Sequence, residues 1–275
     1  MNDIELYDPY MTKCETEQSY IYIEGRGLRP VTYEICGDLA IFEGDIILGD
    51  LDTMQKMNQL VASYSDRMDN KTANKDMIER ACLINTSGKW WPKLIIPYEI
   101  DNAENITAIS EAIAYVNKYT PIKLIKRKKE TDYVSFKQSA GNSSSVGRRG
   151  GKQNINISNT AKMGNVTHEV FHAAGLWHEH SRSDRDNYVT IDLTNLRDPN
   201  RQHNFKKHTD DGINLGPYDY GSIMHYSEKA FAKQGTKTII PKKPGVVIGQ
   251  RESASDRDKS SLVYMYVMSK FCWMN

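Results

Sequence analysis

Net charge is nearly absent from this chain. Against 36 Lys and Arg stand 35 Asp and Glu, a formal +1 over 275 residues, so no general field draws nucleic acid or an anionic membrane to the surface. The basic run Lys126-Arg127-Lys128-Lys129 reads as a solvated strand end. Long apolar runs are missing too: nothing approaches the ~18 residues of a membrane span. Met1 to Leu6 has neither the basic nor the apolar region of a secretory leader. Residues 141 to 151 are rich in Ser, Gly and Arg but lack Walker spacing, and read as a loop. Calcium repeats of the G-G-x-G-x-D type do not occur. What is present, 39% hydrophobic residues, suffices for one or two compact cores.

Periodicity predicts an α+β arrangement. Alternation from about Val31 to Leu48 predicts strands, and Leu51, Met54, Met57, Leu60, Val61 and Tyr64 at helical spacing predict a short helix after them. Residues 63 to 80 are polar and suit an exposed, cleavable connector. Beyond it, Trp90 to Ile100 is an apolar run broken by prolines and predicts an early strand. Ile106, Ile109, Ile113 and Val116 predict the buried stripe of a helix ending before Pro121. Strands are expected at Ile122 to Ile125, Tyr133 to Phe136 and Gln153 to Ser158, a helix from Met163 to Ala174, and a C-terminal helix within Ser253 to Ser269.

The decisive stretch is His168-Glu169-Val170-Phe171-His172-Ala173-Ala174-Gly175-Leu176-Trp177-His178. Four residues separate His168 from His172, so one helix face offers two imidazoles to one ion. His178 reaches the same ion only if the chain turns sharply at Gly175, where a missing Cβ permits positive φ. Glu169 points about 100° away from the ligand face, the place for a general base acting on water rather than a ligand. Three nitrogens leave the fourth position open, which marks a catalytic zinc rather than a structural one. A non-catalytic adhesion or inhibitory module with a permanently closed zinc is the alternative, and such a site would have no use for Glu169.

Through Glu179-His180-Ser181-Arg182-Ser183-Asp184-Arg185-Asp186 and Ser222-Ile223-Met224-His225-Tyr226, the chain resembles the astacin family of metzincin zinc endopeptidases, in a bacterial-type pro-enzyme form. The resemblance covers about residues 81 to 272. It implies an α+β catalytic domain at 81–275: a mixed, mostly parallel twisted sheet, two main helices, a cleft, and an irregular C-terminal half with a C-terminal helix. A small propeptide would occupy residues 1–80, with cleavage between Arg80 and Ala81. Met224 would form an apolar floor under one Zn2+, Tyr226 would be a fifth ligand and oxyanion donor, and Glu179 would receive the new amino terminus. The resemblance further implies a secreted monomer, its leader already removed. It would act on protein or peptide substrates after an activating protease has cut it, with no nucleic-acid or membrane partner.

Latency has two candidate ligands. Phe42-Glu43-Gly44-Asp45 matches the family's F-x-G-D motif, which offers Asp45, while Cys36-Gly37 is similar to a cysteine switch. A disulfide between Cys82 and Cys272 would tie both domain ends, though the family's usual bridging positions are not reproduced. Cys14 and Cys36 then remain, either paired with each other or with Cys36 on the metal. Thiolate is the stronger zinc ligand, so Cys36 is favoured and Asp45 is the alternative. His180, His203, His208 and His225 are not expected to be ligands, and the loops at 141–151 and 236–249 are expected to set side-chain preference.

Overall fold

The computed structural model describes residues 15–23, 27–52, 54, 55, 58, 90–209, 212, 214 and 216–262. The proposed cut at Arg80 and Ala81, three of the cysteines (Cys14, Cys82 and Cys272), and most of the helix expected from Asp50 to Tyr64 lie outside them. Among the described residues no helix is long and apolar enough to cross a membrane.

Eleven strands and two long α-helices make the described fold. The N-terminal segment contributes β1 (Thr16–Ile23), β2 (Gly27–Cys36), β3 (Leu39–Phe42) and β4 (Ile46–Asp50). Then come β5 (Ile95–Asp101), helix α1 (Ile106–Tyr119), β6 (Lys123–Lys126), β7 (Tyr133–Gln138), β8 (Ser143–Ser144), β9 (Lys152–Ile157) and helix α2 (Met163–Ala174). Beyond α2 the chain is mostly turns and short 3-10 helices, with the pair β10 (Val189–Ile191) and β11 (Ile239–Pro241). The C-terminal helix is seen over residues 256–262.

Strands β6, β5, β7 and β9 run parallel in that order, as βαβ connections through α1 require. Each helix has a legible local cause. Asn105 caps α1, its Oδ1 accepting from the Ala108 N–H and its amide donating to the carbonyls of Ser158 and Ala161. The helix ends at Thr120, before Pro121. Its buried face is Ala108, Ile109, Ala112 and Val116. Of the expected stripe, Ile106 is instead 49% exposed and Ile113 only half-buried, while Ala108 and Ala112 join Ile109 and Val116 on the buried face. Helix α2 is buried along nearly its whole length. Gly164 is required there, since a Cβ would lie 1.7 Å from the Arg251 carbonyl oxygen. The main core joins α1, α2 and the parallel strands through Ile96, Ile109, Phe136, Ile155, Val170 and Phe171.

The N-terminal segment is joined to the downstream domain through the sheet. Its antiparallel strands continue the sheet through a parallel contact of β4 with β8 at Ile46 and Ser144. Downstream groups reach the strand's backbone: Ser144 N–H donates to Asp45 O at 2.8 Å, Ser145 Oγ to Ile47 O at 3.1 Å, and Arg149 Nη2 to Leu48 O at 2.9 Å. The loop 141–151 is accordingly mostly buried from 141 to 147, while residues 149–151 are exposed. Val146 and Trp177 pack into the segment's own core of Val31, Tyr33, Phe42, Ile46 and Leu48.

A second attachment is electrostatic. Glu34 of β2 is fully buried, paired with Arg201 at 2.9 Å and accepting from the Asn204 amide at 2.7 Å. Breaking one side of a buried pair costs about 3 kcal/mol or more, because the remaining charge stays desolvated. Glu34→Ala is accordingly expected to lower the midpoint of thermal unfolding of the full chain by several degrees, which calorimetry would show; an unchanged midpoint would refute the anchoring role.

Candidate metal centre

Helix α2 presents His168 and His172 on one face, and Gly175 ends it in the left-handed conformation at φ 120°, its N–H bonded to the carbonyls of Phe171 and His172. That reversal returns His178 to the same point. The Nε2 atom of His172 lies 3.1 Å from that of His168 and 3.2 Å from that of His178. Each ring's Nδ1 is committed elsewhere. His168 Nδ1 faces Ile223 O at 2.9 Å, His172 Nδ1 faces Leu176 O at 2.8 Å, and His178 Nδ1 faces Glu43 Oε2 at 2.8 Å. Carbonyl and carboxylate oxygens only accept, so every Nδ1 carries the proton and every Nε2 turns a lone pair inward.

Three lone pairs aimed at one another fit a cation. Tetrahedral zinc at about 2.0–2.1 Å from each nitrogen would space them about 3.3 Å apart. Burial holds the pKa of His168 down to about 4, with Arg251 adding to it, and lowers that of His172 well below the usual imidazole range; at His178 burial is outweighed by the Asp45 and Glu43 carboxylates, which raise it.

Asp45 completes the group. Its Oδ2 is 3.2 Å from Nε2 of both His168 and His178, and its Oδ1 is buried without a hydrogen-bond partner. Among the described residues Asp45, His168, His172 and His178 form the cluster able to hold a metal ion, and Cys36 is not part of it. The structure thereby corrects the preference for Cys36. That cysteine ends β2, half-buried, at an exposed hairpin turn through Gly37 (φ 66°), and the intrinsic strength of a thiolate ligand cannot act across the intervening strand. Nine residues on, the turn between β3 and β4 delivers Asp45.

Glu169 is buried at 2% exposure, and its Oε2 has no hydrogen-bond partner. Burial, with the Asp45 charge beside it, pushes its pKa well above the usual carboxylate range. The Tyr226 hydroxyl donates to the Glu43 carbonyl, and its ring lies 4.6 Å from that of His178 and stacks on His180 at 3.8 Å. Met224 is buried, and its carbonyl accepts from the Glu179 N–H. His180, His203, His208 and His225 lie outside the metal cluster.

The family model for the Astacin peptidases matches residues 83–267, about two-thirds of the chain. The chain belongs to the astacin family. High choriolytic enzyme 1 of Oryzias latipes is 37% identical over 193 residues, 66% of this chain and 71% of that protein. The structure of the same hatching-enzyme zinc protease superposes with a TM-score of 0.63 at 35% identity, covering 68% of this chain and 99% of that one. Zinc metalloproteinase nas-14 of Caenorhabditis elegans is 33% identical over 243 residues, 84% of this chain but 48% of that protein. The chain thus spans only about half the length of that relative. The structure of myroilysin is 20% identical, with a TM-score of 0.48.

Three features of this astacin centre escape sequence reasoning. Glu43 occupies the variable position of F-x-G-D, where no pattern assigns it a partner. Asp258 is 6% exposed and accepts from Ser222 Oγ at 2.6 Å and from the Ile223 N–H at 2.9 Å, so it fixes the turn whose Ile223 carbonyl orients His168. The carbonyls that orient His168 and His172 belong to residues 223 and 176, and backbone acceptors have no sequence signature.

Glu179 accepts from the Asp219 N–H at 2.7 Å, and burial raises its pKa to about 8 against the pull of Arg182. A carboxyl whose pKa is higher folded than unfolded binds more protons in the folded state, so stability falls as pH rises from about 4.5 to about 8, by at most about 5 kcal/mol. Glu179→Gln keeps the acceptor and removes the titration. Melting curves from pH 5 to 8.5 are expected to show the variant gaining on the wild type as pH rises; parallel curves would contradict this assignment.

Proposed function

We propose that the chain is the latent form of a secreted zinc endopeptidase, with residues 1–80 as the propeptide and 81–275 as the catalytic domain. The observation that carries this reading is the convergence of three imidazole Nε2 atoms beside the buried Glu169 carboxylate, whose Oε2 has no hydrogen-bond partner. Zinc held by His168, His172 and His178 would polarise the scissile carbonyl and lower the pKa of water. Glu169 takes the proton of the attacking water, then gives it to the leaving amine. Its raised pKa suits that exchange, and leaving Asp45 behind removes one cause of the rise. Tyr226, released from the Glu43 carbonyl when the propeptide departs, donates its hydroxyl to the developing oxyanion.

Asp45 is the latency ligand in this reading, since it supplies the fourth position that substrate and water would need. Cleavage after Arg80 would free Ala81, and the new amine would pair with Glu179. Protein or peptide substrates, an activating protease and a monomeric state complete the proposal. With Asp45 in place the centre has four protein ligands, which also suits the alternative of a permanently closed module. That alternative leaves Glu169 without a role.

Glu169→Gln is expected to reduce kcat of the activated enzyme by several orders of magnitude while zinc content stays at one per chain, measured by peptide cleavage and metal analysis. Activity near wild type would remove Glu169 from the mechanism. Among uncut variants, Asp45→Ala is expected to show premature cleavage of peptide substrate and Cys36→Ser none; the reverse pattern would return latency to the cysteine.

A further inference from the structure

The three ligand imidazoles are not held alike. His168 and His172 are oriented by the backbone carbonyls of Ile223 and Leu176, both part of the peptidase domain. His178 is oriented by a side chain of the N-terminal segment, Glu43. This carboxylate is fully buried. Its Oε2 is 2.8 Å from His178 Nδ1, and its Oε1 is 3.0 Å from Ser181 Oγ and 2.8 Å from His208 Nε2. His208 in turn stacks on Trp177 at 4.1 Å, so the socket is rigid on the peptidase side.

The backbone is shaped to deliver this side chain. Glu43 takes φ 49°, a left-handed conformation that is unfavourable for a residue with a Cβ. Its carbonyl accepts from Tyr226. Gly44 follows at φ 75°, where a Cβ would lie 2.7 Å from Cζ of Phe231. The turn thus places two carboxylates on the centre from opposite sides: Asp45 at the inward-facing Nε2 atoms, Glu43 behind the ring of His178.

We propose that Glu43 is a positioning residue for His178, so that the N-terminal segment lends the metal centre the carboxylate that fixes its third ligand, and removing the segment loosens zinc beyond the loss of Asp45. A carboxylate on the far nitrogen of a ligand imidazole fixes ring and tautomer and strengthens the nitrogen that faces the metal, and its loss commonly weakens metal binding 10–100-fold. The inference rests on the zinc reading of the site. It assigns the segment two separable effects on the metal, a direct ligand at Asp45 and an indirect hold through Glu43.

The test uses the full 275-residue chain and zinc alone. Zinc dissociation constants from chelator competition, at one pH, would be compared for wild type, Glu43→Gln, Asp45→Asn and the double variant. Glu43→Gln is expected to weaken zinc about 10–100-fold with Asp45 intact, and the double variant to be weaker than either single one. Ser181→Ala, which removes one donor to Glu43 but keeps the His178 bond, is expected to stay within about threefold of wild type. If Glu43→Gln binds zinc as tightly as wild type while Asp45→Asn does not, the proposal is overturned. A measurement independent of any variant's folding is the imidazole ¹⁵N–¹H spectrum of zinc-loaded wild type. An exchange-protected His178 Nδ1–H signal displaced downfield of those of His168 and His172, whose acceptors are carbonyls, supports the role, and its absence excludes it. A wild-type chain that takes up no zinc would sink the function itself, an outcome distinct from intact zinc binding that Glu43→Gln leaves unmoved.

Discussion

The Nε2 lone pairs of His168 and His178, each within 3.2 Å of that of His172, repel it unless something positive sits between them, and much of the molecule is arranged to keep them there. Gly175 reverses the chain so that the third ring can arrive, and two carbonyls and a carboxylate hold the far nitrogens so that no ring can rotate away. Asp258, itself held by Ser222 and by backbone N–H groups, fixes the turn that supplies one of those carbonyls. The burial of helix α2 on nearly every face is the mechanical side of the same requirement, since a ligand helix free to shift by an ångström would lose the geometry.

The N-terminal segment meets this centre with the same economy of contacts by which it joins the fold. It extends the sheet at β8, buries Glu34 against Arg201, and sets Glu43 and Asp45 against the histidines. None of these carboxylates could be withdrawn singly without leaving a desolvated cationic or polar partner behind. Spontaneous release of the segment is therefore opposed at several points at once.

Much of this was legible beforehand, and for identifiable reasons. The span of α2 is met residue for residue, and its stop at Gly175 is a local signal. Strands β2 to β4, β7 and β9 fall where alternation places them. Ile106, in the first turn of α1, is exposed although its spacing fits the stripe, because spacing alone does not report how far along a helix the packing extends. The competition between Cys36 and Asp45 was decided against the stronger ligand type. Affinity was read from chemistry, whereas access depends on which turn of the N-terminal hairpins faces the histidines.

By itself the sequence determined what the metal centre is built from: the proposed ligands His168, His172 and His178, the proposed base Glu169 and the turn at Gly175 lie within eleven residues, where helix geometry fixes the distances between side chains. Only the tertiary structure decided what lies opposite them. Glu43 and His178 are separated by 135 positions, and Glu34 and Asn204 by 170. At such separations no local periodicity constrains which side chains meet; the pairing of β4 with β8 and the packing of the segment's core against Val146 and Trp177 do.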